Sequence, residues 1–283
     1  TVTKKGKGYP LSENDPEKFH GIEPSTINNG EALQGGKKSN AKLFGETLVQ
    51  LAQNNDRIVA VTAAMPSGTG LTAFAKLFPD RFFDVGIAEQ HAVTMAAGMA
   101  AEGMRPVVAI YSTFLQRSYD QLLHDVCLQK LPVVLAVDRA GLIGADGVTH
   151  QGIYDMAYLS TLPNMTIYAP ATQQELTHML RLAITSGEPC AIRYNRGALM
   201  QVVSEVPVEK GKWEELYPMQ ERTVIAVGNM VETSMTPARE TGAGLINARC
   251  IKPMDEDMIM RLSTVAKRVV VVDDNATNRH IVT

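Results

Sequence analysis

The chain has 283 residues, 45% of them hydrophobic and 20% charged, enough for one large or two medium domains with a substantial core. A net charge of −3 argues against a nucleic-acid or membrane-surface partner, and no apolar run approaches the length of a membrane span. Three widely separated cysteines, Cys127, Cys190 and Cys250, follow no metal-ligand spacing and read as reduced, mostly buried thiols of a cytoplasmic protein. Residues 1–37 are polar, with Gly, Pro, Asn and Lys, and read as a linker or extended arm. From Ser39 the pattern changes. "NAKLFGETLVQLAQNND" has apolar residues at helical spacing, with Ser39 or Asn40 as N-cap.

"RIVAVTAAM" reads as a buried strand, "LTAFAKLF" as a short helix and "RFFDV" as a second strand. The small, apolar "DVGIAEQHAVTMAAGMAAEG" follows as a helix starting near Ile87. Next come the strand "RPVVAIY", one long helix over "FLQRSYDQLLHDVCLQK" and the strand "LPVVLAVDR". "IYDMAYLST" is helical, "MTIYAPA" a strand, "QQELTHMLRLAIT" a helix and "CAIRY" a strand. Apolar strands alternating with helices predict an α/β fold, a doubly wound parallel sheet covered on both faces. "SEVPVEKGKWEELYPMQER" reads as a connection without regular structure. Strands "TVIAVGN", "GLINARC" and "RVVVVDD", with helices from Met230 and Asp255, predict a second, smaller, truncated α/β domain. The expected division is therefore 1–37, 38–203 and 204–283. The opening "TVTKKGKGYP", without an initiator Met or signal peptide, and the stop shortly after a strand suggest an incomplete or processed chain.

Ligands of parallel α/β sheets bind at the carboxyl ends of strands. Glu89 follows "RFFDV". Tyr111 and Phe114 follow "RPVVAIY". Asp138, Arg139 and the glycine-rich "GLIGADGVTHQG", with Asp146 and His150, follow "LPVVLAV". Asn195 and Arg196 follow "CAIRY". Each has an ordinary explanation. Glu89 suits the first turn of a helix, where the dipole favours an acid. The loop could be a surface turn, and the arginines surface ion pairs. Together they bring an acid, aromatics, two cations and a histidine to one sheet edge. There Arg139 and Arg196 could bind a phosphate or carboxylate, and His150 could move a proton. Asp120 near Arg117 suggests an intrahelical ion pair, and His124 and Asp125 a structural role. No CxxC, HExxH, GxSxG, GxGxxG or GxxxxGK[ST] occurs, so no metal ligand is assigned.

"FDVGIAEQHAVTMAAGMAAEG", "VVAIYSTFLQRSYDQLLHDV", "KLPVVLAVDRAGLIGADGVTHQG" and "AIRYNRG" closely resemble the 1-deoxy-D-xylulose-5-phosphate synthases, thiamine-diphosphate enzymes of the transketolase superfamily. The likeness runs from "VTKKGKGY" to "VVVVDDN". It implies a transketolase-like pyrimidine-binding domain followed by a partial transketolase C-terminal domain. The implied reaction is condensation of pyruvate with D-glyceraldehyde 3-phosphate, releasing CO2, at the head of isoprene and thiamine biosynthesis.

The resemblance makes Glu89 the catalytic glutamate that bonds N1′ of the cofactor's aminopyrimidine, and Phe114 the ring stacked on it. Tyr111, Arg139, Asp146, His150 and Arg196 become substrate-side residues, with His150 also catalytic. The arginines would take the acceptor's phosphate. It further implies a homodimer, and Mg2+ held through a GDG motif and a downstream Asn in an N-terminal domain. No GDG occurs in this chain, so the Mg2+ ligands are expected outside it, and the chain alone is expected to be inactive. Two alternatives stay open: the C-terminal subunit of a split transketolase-like enzyme, and a non-catalytic remnant.

Overall fold

The computed structural model describes residues 2–16, 19, 38–201 and 204–276. Contacts divide the chain into two compact units, residues 1–37 and 38–283. The first, read as an arm, contains a short helix, α1 (Pro10–Asn14), opened by a proline at its first position. Glu13 accepts from the Gly8 amide (2.8 Å) and pairs with Lys4, and Tyr9 meets Phe19 edge-on. Residues 17, 18 and 20–37 of the expected arm lie outside the described residues, as do 202 and 203 at the expected 203/204 boundary.

The second unit begins with α2 (Asn40–Gln53), capped by the Ser39 hydroxyl on the Lys42 amide (3.3 Å). Then come β1 (Ile58–Thr62), α3 (Thr72–Leu77), β2 (Phe82–Asp84), α4 (Glu89–Ala101) and β3 (Arg105–Tyr111). The single long helix expected over residues 114–130 is broken. It consists of α5 (Ser112–Leu115), a 3-10 turn at Gln116–Ser118, α6 (Tyr119–Gln121) and a π-helical stretch at Leu122–Cys127. After it come β4 (Val134–Asp138), α7 (Asp155–Thr161), β5 (Thr166–Tyr168), α8 (Gln173–Ser186) and β6 (Cys190–Arg193). A capping box between Thr172 and Glu175 starts α8, and Gly187 in a left-handed conformation ends it.

The remainder supplies β7 (Glu214–Tyr217), β8 (Arg222–Ala226), α9 (Met230–Thr241), β9 (Gly244–Asn247), β10 (Cys250–Lys252), α10 (Glu256–Val265) and β11 (Arg268–Val272). Two of these differ from expectation. β7 lies inside the stretch read as irregular. "GLINARC" splits into β9 and β10, which enter different sheets. Both β7 and β10 are short antiparallel edge strands, too brief to show a period.

Among the described residues the larger sheet runs β10-β5-β6-β4-β3-β1-β2 and the smaller β11-β8-β9-β7. In the larger sheet β1 to β6 are parallel, and their residues read as nearly continuous apolar runs because both faces are covered. The chain moves from β1 out to β2, then back past β1 to β3. Crossovers between parallel strands are right-handed as a rule, so a reversal of direction sends the connecting helices to opposite faces. The reversal beside β1 is the switch point of the sheet, where the carboxyl ends leave a crevice. Cys127, Cys190 and Cys250 are buried and unbridged.

Candidate active site

Glu89 stands at the mouth of that crevice. One Asp84 carboxylate oxygen accepts from the amides of Ala64 (2.7 Å) and Gly86 (3.0 Å). Gly86 is left-handed (φ 70°). This turn delays the helix, so α4 starts at Glu89 rather than near Ile87, with Ala88 as N-cap. Behind it Ala92, Val93, Ala96, Ala97 and Ala100 are buried. Small side chains let the helix lie close to the sheet and take the Glu89 carboxylate down with it, leaving 3% of that side chain exposed. The helix dipole favours the acid there, but burial to this degree is not needed for a dipole contact.

The partner of Glu89 is Arg117, whose Nη1 lies 3.2 Å from both carboxylate oxygens. The expected pair of Arg117 with Asp120 is replaced because the 3-10 turn at Gln116–Ser118 redirects the side chain toward α4. The same guanidinium lies 5.7 Å from the Phe114 ring centroid. Phe114 in turn is near-parallel to Tyr111 (6.0 Å, 22°) and meets His150 edge-on (5.4 Å, 79°). Arg139 lies over the other aromatic, 4.0 Å from the Tyr111 centroid. A Cβ on Gly68 would fall 1.8 Å from the Tyr111 hydroxyl, so the loop after β1 needs a residue without a side chain there.

The glycine-rich loop is pinched at its base. Gly141 and Gly152 exchange amide-to-carbonyl bonds of 2.7 and 3.0 Å. Inside, the Gln151 side chain accepts from the Ile143 amide and donates to the carbonyls of Ile143 and Gly147. Thr149 and His150 share a 2.7 Å hydrogen bond. The loop presents Asp146 between both arginines, 2.7 Å from Arg139 Nη1 and 3.1 Å from Arg196 Nη1. Arg139 and Arg196 thus converge as expected of an anion site, but a carboxylate of the chain's own already lies between them. Every site residue expected from the sequence therefore joins one connected set: Glu89, Phe114, Tyr111, His150, Arg139, Asp146 and Arg196, with Arg117 completing it.

Arg117 was not among the expected site residues, and Asp138 was expected at the sheet edge without a role. Arg117 could have been found, since it lies one helical turn after Phe114. Asp138 ends β4, almost wholly enclosed, and accepts from the Arg139 amide at 2.6 Å. Burial pushes its carboxyl up to about 7, against that hydrogen bond and the nearby guanidinium. The bond holds Arg139 in a left-handed conformation (φ 54°), a strained backbone of the kind found at functional sites. Burial also raises the Tyr111 phenol, which stays a neutral hydroxyl. Asn40, beyond its place in α2, donates to the Asn195 carbonyl (2.9 Å) and accepts from the Leu199 amide (2.8 Å), fixing the loop that carries Arg196. His124 and Asp125 stay outside the set, with Asp125 bonded to Thr94 at 2.6 Å.

A buried carboxylate and an aromatic face, both touching one guanidinium, suit a flat heterocycle with a basic ring nitrogen. Two arginines nearby suit a phosphorylated ligand. Among the described residues no group of three or more His, Cys, Asp or Glu could hold a metal ion, and no helix is long and apolar enough to cross a membrane.

Residues 36–201 match the family described as "Transketolase, pyrimidine binding domain", and residues 211–279 match "Transketolase, C-terminal domain". The chain is 50% identical over 283 residues to the 1-deoxy-D-xylulose-5-phosphate synthase of Clostridium perfringens (strain 13), covering 97% of this chain and 46% of that protein. It is 51% identical to the synthase of Clostridium acetobutylicum, over 96% and 45%. The chain thus spans about half the length of the curated relatives it matches. Among solved structures, one described as a split gene transketolase, an inactive β4 tetramer, superposes with a TM-score of 0.77 at 29% identity, over 85% of this chain and 81% of that one. By the match over most of its larger sheet and the whole of the site edge, the chain belongs to the transketolase pyrimidine-binding domain family.

Proposed function

We propose that the chain forms the pyrimidine half of a thiamine-diphosphate site in a transferase that condenses pyruvate with D-glyceraldehyde 3-phosphate, giving CO2 and 1-deoxy-D-xylulose 5-phosphate. Residues 38–203 would be the pyrimidine-binding domain and 204–283 part of the C-terminal domain. The observation that carries the reading is the Glu89 carboxylate, enclosed at the start of α4 and linked through Arg117 to the Phe114 ring. The donor set fits an aminopyrimidine: the ring would stack on Phe114 and Glu89 would hold a proton at its N1′. The chemistry supplied by bound thiamine diphosphate is a nucleophilic carbon that also accepts the electrons released with CO2. Arg139 and Arg196 bind the acceptor's phosphate as Asp146 gives way. His150, on the open side of Phe114, moves a proton at the new hydroxyl. The neutral Tyr111 hydroxyl donates a hydrogen bond to a substrate oxygen.

The reading carries with it a diphosphate-binding domain that holds Mg2+, a homodimeric assembly and a cytoplasmic location. The resemblance in sequence supports the domain and the assembly, and the three unbridged cysteines support the location. Glu89→Gln in the protein complete with a diphosphate-binding domain is the test. CO2 release from pyruvate should fall by roughly two to four orders of magnitude, the span of a lost proton-transfer group, with the melting temperature unchanged. Near-normal release would return Glu89 to a helix-dipole role. A second reading, favoured by the likeness to the split gene transketolase, is a subunit using another ketose or 2-oxo acid. Turnover of a sugar phosphate donor in preference to pyruvate would select it.

A further inference from the structure

The loop Gly141–Gly152 carries Asp146 and His150, yet its base is held from the second sheet. The segment that leaves β11 reaches both sides of the loop's neck. On one side, the Asp274 carboxylate is pressed against Gly141: a Cβ there would lie 1.8 Å from Oδ2, and Gly141 is left-handed (φ 83°), so only glycine serves. On the other side, the Ala276 amide donates to the Ile153 carbonyl, one residue past Gly152, at 2.8 Å. Between them Asn275, with its amide nitrogen turned inward, donates to that same carbonyl (3.0 Å) and to Asp155 (3.1 Å) and accepts from Arg193 Nη2 (2.9 Å).

Arg193 is the centre of this grip. It ends β6 inside the sheet, donates through Nε to Asp155 (2.8 Å) and through Nη2 to Asp274 (3.0 Å), and is 2% exposed. A guanidinium so enclosed keeps its charge and tolerates little displacement of its carboxylates. Asp274 therefore has one position available, and that position sets where Gly141 can lie. The neck bonds of Gly141 and Gly152 carry the constraint to Asp146 and His150.

The geometry points to Asp274 as a positioning residue for the acceptor side of the site, acting through Arg193 and the Gly141–Gly152 neck and touching no substrate itself. The role at the acceptor side rests on the function proposed above. The hold on the loop does not.

The test uses the complete protein, with Asp274→Ala, Asp274→Asn and, from the opposite side of the contact, Gly141→Ala. Two quantities are read: hydrogen exchange of a peptide covering residues 139–153, and the KM values for the phosphorylated aldehyde and for pyruvate. Loss of the carboxylate should speed exchange of that peptide by roughly tenfold or more, as expected when a local opening is freed, with the α2–β1 region unchanged. The KM for the phosphorylated aldehyde should rise by about tenfold while that for pyruvate stays within about twofold. Asp274→Asn, which keeps the shape and an acceptor oxygen, should recover most of both. Gly141→Ala keeps every charge of the buried cluster and should reproduce the exchange effect from the loop's side of the contact, so a poorly folding Asp274→Ala does not decide the matter. Unchanged exchange of residues 139–153 in Asp274→Ala and Gly141→Ala overturns the inference. Faster exchange with both KM values unmoved supports the hold on the loop and overturns the acceptor role of Asp146 and His150.

Discussion

Two groups of arginines are paired with carboxylates in this fold, and they differ in how they could let go. At the site edge, Arg117 and Arg196 keep 50% and 38% of their side chains exposed while holding Glu89 and Asp146. Where the sheets meet, Arg193 and Arg249 are exposed by 2% and 1%. Arg249 lies 3.3 Å from Glu214 and 3.5 Å from Glu175, and donates to the carbonyls of Pro207 and Val206. Glu175 is occupied again by Asn247 (2.8 Å) and by the Ala171 amide (2.7 Å). An exposed guanidinium that loses its carboxylate is rehydrated at little cost; an enclosed one is not. The first group can exchange its partners for a ligand, and the second can only hold the architecture.

The heaviest loss of stability falls at Arg249. Arg249→Met should destabilise the fold by about 3–5 kcal/mol, because Glu175 and Glu214 stay buried without their cation. Urea unfolding of the variant reads this directly. A loss below about 1 kcal/mol, the range of surface pairs, would erase the distinction between the groups.

That distinction was only partly visible in the amino-acid order. The parallel sheet was legible because β1, β3, β4 and β6 are apolar enough for burial on both faces. The site edge was legible because parallel strands put their carboxyl ends together, so Glu89, Tyr111, Phe114, Arg139 and Arg196 had to be neighbours. The partners were not. Asp146 reaches both arginines only because the loop is pinched at Gly141 and Gly152, and Arg117 reaches Glu89 only because the helix after β3 is broken. β10 pairs with β5 across more than eighty residues, at Cys250 and Tyr168, which no local period encodes. Arg193 did leave a signal: a cation inside the apolar "CAIRY" must have buried acids waiting for it.

Asp138 is the converse case, a buried carboxylate with no ion pair of its own among the described residues. Its carboxyl is raised to about 7, whereas the unfolded chain keeps the ordinary value near 3.8. The native state therefore binds the proton more tightly than the unfolded state. Stability from this group is greatest below about pH 4 and is lost as pH rises toward 7. Asp138→Asn removes the titration and can still accept from the Arg139 amide. The variant should match the parent near pH 4 and exceed it above pH 7 by on the order of 2–4 kcal/mol, from the linkage of about 1.4 kcal/mol per pKa unit. Melting temperatures from pH 4 to 8 should diverge in that direction; parallel curves would show that the Asp138 carboxyl titrates normally.

The smallest stability effect belongs to Arg196, and it is informative for being small. Its guanidinium is 38% exposed and shares Asp146 with Arg139, so Arg196→Ala leaves Asp146 with a cation at 2.7 Å. Stability should fall by less than about 1 kcal/mol. If the pair is a phosphate site in waiting, the same change should raise the KM for the phosphorylated aldehyde by roughly tenfold or more in the complete protein, because one of two charge-assisted contacts to the phosphate is gone. The KM for pyruvate, which has no phosphate, should stay near its parent value. Asp146→Asn divides the two uses of the arginines. Freed from their internal carboxylate but still side by side, they should bind inorganic phosphate more tightly than in the parent. Weaker binding would mean that Asp146 aligns the arginines rather than competing for them.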